Sequence, residues 1–194
     1  MQRLAFIRYT YLLGKGQSKE REPNNLISIL IFHDSIELFF ELVSDFLDVS
    51  TKSNQQFLDY WEQINTKITP NQLYGKESII RLNDARKSLK HSGIFVDQSH
   101  IKEFELNVKS FFEINTPIIF NIDFNEISII DLITNENVRD HLKSAKSSEK
   151  ENNYHKAMEH ITQAFYQLFE DYEKQKNEFL ENKALFHLPS SLDW

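Results

Sequence analysis

A chain of 194 residues with 40% hydrophobic side chains, 16 Phe among them, has the length and apolar content to bury a core of its own, which excludes intrinsic disorder. It has no cysteine, so disulfides, thiolate zinc sites and thiol nucleophiles are excluded, and with 4 Gly and 4 Pro it has too few turn residues for a barrel or sandwich of short strands. A net charge of -7 argues against a protein that coats nucleic acid over its whole surface, while leaving room for a local basic site.

In chain order, Leu4, Ile7 and Tyr11 stand at helical spacing and predict a helix over 3–13, with Gly14 and Gly16 ending it. After a charged linker, Pro23 and Asn24 open the longest apolar helix, to about Val49. Its apolar residues cover a wide arc and leave one narrow polar stripe of His33, Glu37, Glu41, Ser44 and Asp48, the pattern of a helix central to a bundle. A third helix is predicted over 54–68 with Phe57, Trp61 and Ile64 inward, and a fourth over 76–92 with Gly93 as its left-handed C-terminal residue. Ile101, Phe104, Val108 and Phe111 line one face of a fifth helix over 98–115. In 116–126, Phe120, Ile122 and Phe124 alternate with polar residues and predict an extended stretch, either an edge strand or a connector.

The C-terminal part reads as a helical hairpin. Val138, Leu142 and Ala145 form a short stripe, and Glu151–Asn153 is a turn. A long helix then carries Tyr154, Met158, Ile161, Phe165, Leu168, Phe169 and Tyr172, with Ala157 and Ala164, to about Lys183. That aromatic stripe is expected to be core, and the apolar tail 186–194 to dock on the body or lead into a longer chain. The fold class is therefore all-α: a bundle of six to seven helices, with a first unit over 1–116 and a connector plus hairpin over 117–194 packed on it, or one single domain. No signal peptide opens the sequence and the apolar runs are too short to span a membrane, which predicts a cytoplasmic protein.

Chemistry concentrates between Arg81 and His91, where Arg81, Arg86, Lys87 and Lys90 face one acid, Asp84. On a helical wheel Ile79, Leu82, Ala85 and Leu89 form one apolar face, Arg86 falls inside it, and His91 lies about 140° from Arg86. A guanidinium within an apolar stripe needs a partner or an open polar cleft. Either Arg86 pairs with an acid of the long second helix, Glu37 or Glu41, or the face opens at a two-fold interface where two copies bind phosphate. His33 with Glu37 is read as polar surface or the partner of Arg86, and His155 with Glu159 as an ordinary surface pair, rather than as metal ligands, so no metal or other cofactor is expected.

The segment L-N-D-A-R-K-S-L-K-H-S-G, residues 82–93, resembles the R-x4-H signature of HEPN domains, all-α bundles of toxin–antitoxin and phage-defence systems. Arg86 and His91 stand at the matching positions; the residue after the Arg, commonly Asn or Asp in the family, is Lys87. The resemblance implies a homodimeric, metal-independent endoribonuclease that leaves a 2′,3′-cyclic phosphate. It would work with RNA, a second copy and an antitoxin or larger defence complex, away from membranes. Metal-free cleavage needs an acid or base near neutrality, which His91 supplies, and a fixed cation on the phosphorane oxygens, which Arg86 supplies. Lys87 and Lys90 would draw in the backbone, and Asp84 would orient the site. The alternative is a catalytically inactive HEPN-like module that binds RNA or, through its apolar hairpin and tail, a protein.

Overall fold

The computed structural model describes residues 1–49 and 59–184, with side chains through 180; Phe57 and the tail 186–194 lie outside the described residues. The chain is all-α. Seven helices follow one another among the described residues: α1 Gln2–Gln17, α2 Ile27–Phe46, α3 Asp59–Lys67, α4 Lys76–Ser92, α5 Gln98–Phe120, α6 Glu136–Lys150 and α7 Tyr154–Ala184. Short 3-10 turns occupy Asn24–Leu26, Phe124–Glu126 and Ile129–Leu132, and no strand occurs among these residues. None of their helices is long and apolar enough to cross a membrane.

Two compact units divide the chain, Met1–Leu132 and Ile133–Trp194. Residues 117–132 thus go with the first unit. Phe124 stacks on Phe112 at 4.7 Å between ring centroids, and the Ile127 carbonyl accepts a hydrogen bond from the Arg8 guanidinium.

In the first unit α2 is the central element, touching α1, α3, α4 and α5. Its apolar arc is wide enough to meet several neighbours: Ile29, Phe32, Ile36, Phe39, Phe40 and Val43 are fully buried. Rings from α2, α3 and α5 meet in one cluster. Phe111 lies 5.3 Å from Phe39, 5.8 Å from Phe40, 5.9 Å from Trp61 and 5.3 Å from Phe112, mostly edge-on, the arrangement that aromatic quadrupoles favour.

Two local expectations are corrected. Gly14 and Gly16 do not end α1, which runs on to Gln17. Gly14 is buried where α1 crosses α2, and a Cβ there would lie 2.7 Å from the Phe32 ring, so it serves close helix approach rather than termination. Around Gly16 a Cβ would meet nothing within 4 Å. Gly14→Ala is therefore expected to destabilise the fold by about 1–3 kcal/mol through overpacking, while Gly16→Ala gains up to about 1 kcal/mol of helix propensity. Denaturant unfolding of the two variants reads the opposite signs.

The second correction concerns 116–126, which is not extended: α5 continues through Pro117 to Phe120. Pro117 sits on the exposed face of the helix, where water can serve the carbonyl that loses its intrahelical donor. Thr116 and Ile119 are buried, and Phe120 packs on Phe46 and Phe39 at 5.0 and 6.0 Å. Asn121, in the left-handed region (φ 55°), then stops the helix. The apparent alternation is thus a helix end followed by a 3-10 turn.

The second unit is the expected hairpin, α6 and α7 joined by Glu151–Asn153 with Asn152 at φ 59°. The aromatic stripe of α7, however, is not core. Ala157 and Ala164 are buried, while Met158, Phe165, Leu168, Phe169 and Tyr172 are exposed. The reason lies in which row faces α6. Ala157, His160, Ala164, Gln167 and Asp171 are the shielded positions, the His141 and His160 rings lie 6.3 Å apart, and Asn135 of the loop before α6 donates to Asp171. The helices close on small and polar side chains, and the large apolar row is rotated away by about 100°.

Candidate functional site

The end of α4 that carries the basic residues is set by anchors at both termini. Before it, the side chain of Asn115 on α5 accepts from the Tyr74 amide (2.8 Å) and donates to the Tyr74 carbonyl (3.1 Å), imitating a backbone partner. Gly75 then enters the helix at φ 96°. Beyond it, Gly93 (φ 62°) takes the left-handed position expected, and the amides of Gly93 and Ile94 donate to the Leu89 and Ser88 carbonyls, each at 3.2 Å.

Burial along α4 falls toward its C-terminal end. Ile79 and Leu82 are fully buried, Ala85, Arg86 and Leu89 are half-buried, and Lys87, Lys90 and His91 are exposed. The apolar face that encloses the first half of the helix therefore opens where Arg86 stands. Asp84 is exposed, and Arg81 is tied to Glu103 of α5 at 3.1 Å.

Packed against α4 from α2 is a polar cluster around His33, which is buried rather than part of a polar surface. His33, 1% exposed, brings Nε2 to 3.1 Å from Asn83 Oδ1 on α4 and Nδ1 to 3.5 Å from a Glu37 carboxylate oxygen. The hydrogen bond from His33 is the largest of the causes that hold Glu37 below the ordinary carboxylate range, against the opposing effect of burial; the charges of His33, Arg86 and Lys90 add to the lowering. Of the two acids expected as partners of Arg86, Glu37 is the one whose lowering includes the Arg86 charge. Glu41 instead lines a cleft of about 430 Å³ formed with Arg3, Phe6 and Leu38, and no α4 residue contributes to that cleft. Part of the signal for this cluster was in the sequence: His33 and Glu37 share a face one turn apart, and Asn83 precedes Arg86 by one turn of α4.

Glu37 gives a pH dependence whose sign is set. A carboxyl held below its ordinary value of 4.5 in the fold stabilises the protein above the unfolded value and loses that contribution as pH falls through the lowered one. Glu37→Gln is expected to flatten the acid limb of stability below about pH 4.5, read by thermal melts across pH. The effect is small, because the side chain is 45% exposed.

Chemically, the α4 end offers a half-buried guanidinium, two exposed ammonium groups and an exposed imidazole, groups able to take a phosphate. His91 is at the last turn, on a different side of the helix from Arg86. Ligand atoms of His33, Asp34 and Glu37 lie within 4.8 Å of one another, but His33 already serves Asn83 and Glu37, which makes the group an ion-pair cluster first. No protein-family model, curated protein or solved structure matches the chain.

Proposed function

We propose that the chain is a metal-independent endoribonuclease of HEPN type that acts as a homodimer in the cytoplasm, within a toxin–antitoxin or phage-defence system. The observation that carries this reading is the opening of α4: a half-buried Arg86 whose charge is felt at Glu37, with Lys87, Lys90 and His91 exposed on the same helix end. Lys87 and Lys90 draw the RNA backbone to the helix end, and Asp84 helps orient it. Arg86 holds the phosphorane oxygens with its planar fork. His91 moves the protons: the 2′-hydroxyl loses one as its oxygen attacks phosphorus, and the 5′-oxygen gains one as its bond to phosphorus breaks, leaving a 2′,3′-cyclic phosphate. Because His91 and Arg86 occupy different sides of α4, a second α4 across a two-fold axis supplies the complementary group.

The test is incubation of the purified chain with RNA in EDTA, followed by end-group analysis. Cyclic phosphate and 5′-hydroxyl ends are expected. EDTA matters because it separates this chemistry from any that a cation at His33, Asp34 and Glu37 would supply. Absence of cleavage leaves the second reading, a catalytically silent HEPN-like interaction or RNA-binding module. The lowered Glu37 carboxyl favours that reading, since a negative charge that feels Arg86 offsets the guanidinium without any nucleic acid.

A further inference from the structure

We propose that the exposed row of α7 is a self-association seam, covered by α7 of a second copy of this chain running antiparallel across a two-fold axis. The row is Tyr154, Met158, Ile161, Phe165, Leu168 and Tyr172, each between 43% and 63% exposed. Its spacing is 4, 3, 4, 3, 4, the a/d repeat of a coiled-coil seam rather than the broader stripe of a helix buried in a globular core.

Three observations select a second copy as the occupant. The spacing reads the same in both directions, as a two-fold contact requires. About a point at Gln163 the row maps onto itself as Tyr154 opposite the partner's Tyr172, Met158 opposite the partner's Leu168 and Ile161 opposite the partner's Phe165. Aliphatic and Phe side chains then fill the middle, and tyrosines stand at both ends with their hydroxyls free to reach water. Second, area suffices. At about 200 Å² for a large side chain and the exposures above, one row offers about 700 Å², so self-pairing removes about 1,400 Å² from water, within the range of a stable specific interface. Third, charge does not oppose it: the outer flanking row is His155, Thr162 and Phe169, with Thr162 opposite the partner's Thr162, so no carboxylates are forced together. The other flank is closed by α6 in the same chain, so pairing two hairpins makes a four-helix arrangement.

The seam is separate from α4 and does not depend on the reading of Arg86 and His91; Arg86→Ala should leave it intact. The experiment is sedimentation or light scattering of the full chain over micromolar concentrations. The expected mass is twice the 23.0 kDa of one chain. Ile161→Glu and Phe165→Glu are expected to weaken self-association at least about 30-fold, while far-UV circular dichroism stays helical, because both side chains are exposed in the single chain. Gln163→Glu, on the far side of α7, should leave the mass unchanged. Since the chain has no cysteine, Thr162→Cys can be joined to its own copy by a short bismaleimide, and Gln163→Cys cannot. A monomer throughout overturns the proposal, whether the row is then covered by another part of the same chain or by a different protein. So does a dimer indifferent to both charge substitutions, or one that Thr162→Cys fails to link.

Discussion

Arg86→Ala is expected to slow RNA cleavage by about 100- to 1,000-fold, and His91→Ala by about 100- to 10,000-fold, with no loss of helical content. In the proposed mechanism the first figure follows from removing a charge that meets the negative phosphorane more closely than it meets ground-state RNA. The second follows from removing the proton carrier. The double variant should be little worse than the less active single one, because the proposed mechanism has the two groups serve one transition state. Lys87→Ala and Lys90→Ala should act differently, weakening binding and its salt dependence rather than turnover at saturation. Folding is not the confounder it would be in the core. Lys87, Lys90 and His91 are exposed and Arg86 is half-buried, so circular dichroism and melting temperature can be held as controls. Full cleavage by both single variants would remove α4 from the chemistry altogether.

Phe111→Ala is expected to cost about 3–5 kcal/mol, which for a fold of ordinary marginal stability is much of the total. Phe111 is fully buried, and its ring touches Phe39 and Phe40 of α2, Trp61 of α3 and Phe112 of α5. Truncation would open a void among rings that cannot collapse into it without breaking their edge-on contacts with one another. Phe111→Leu, which keeps most of the volume, should cost clearly less. Chemical denaturation of both variants checks the order, and equal losses would mean that the cluster repacks freely.

The parts of the fold legible in the sequence are those governed by spacing and by single-residue caps. The helix over 76–92, its stop at Gly93, and the central place of α2 follow from apolar periodicity and from the backbone freedom of one glycine. Gly14 misled because a glycine that stops a helix and one that admits a neighbouring ring look alike until Phe32 is placed against it. Pro117 misled because its cost depends on whether its side of the helix meets water, a tertiary property. For α7, periodicity identified the helix and the stripe but could not say which row would face α6; two alanines outcompeted a row of large side chains. The candidate site was half legible. The basic run and Arg86 within an apolar face are visible in α4 alone, and the His33–Glu37 pair in α2 alone, whereas the contact of His33 with Asn83 needs two helices brought together over a separation of 50 residues.

The alanine-lined join between α6 and α7 has an energetic corollary. Val138, Ala145, Ala157 and Ala164 are small and remove little apolar area from water, so the two helices contribute only modestly to their own persistence. A hairpin so thinly glued takes its thermal endurance from whatever lies on its outer row, by mass action. Its melting would then climb with protein concentration.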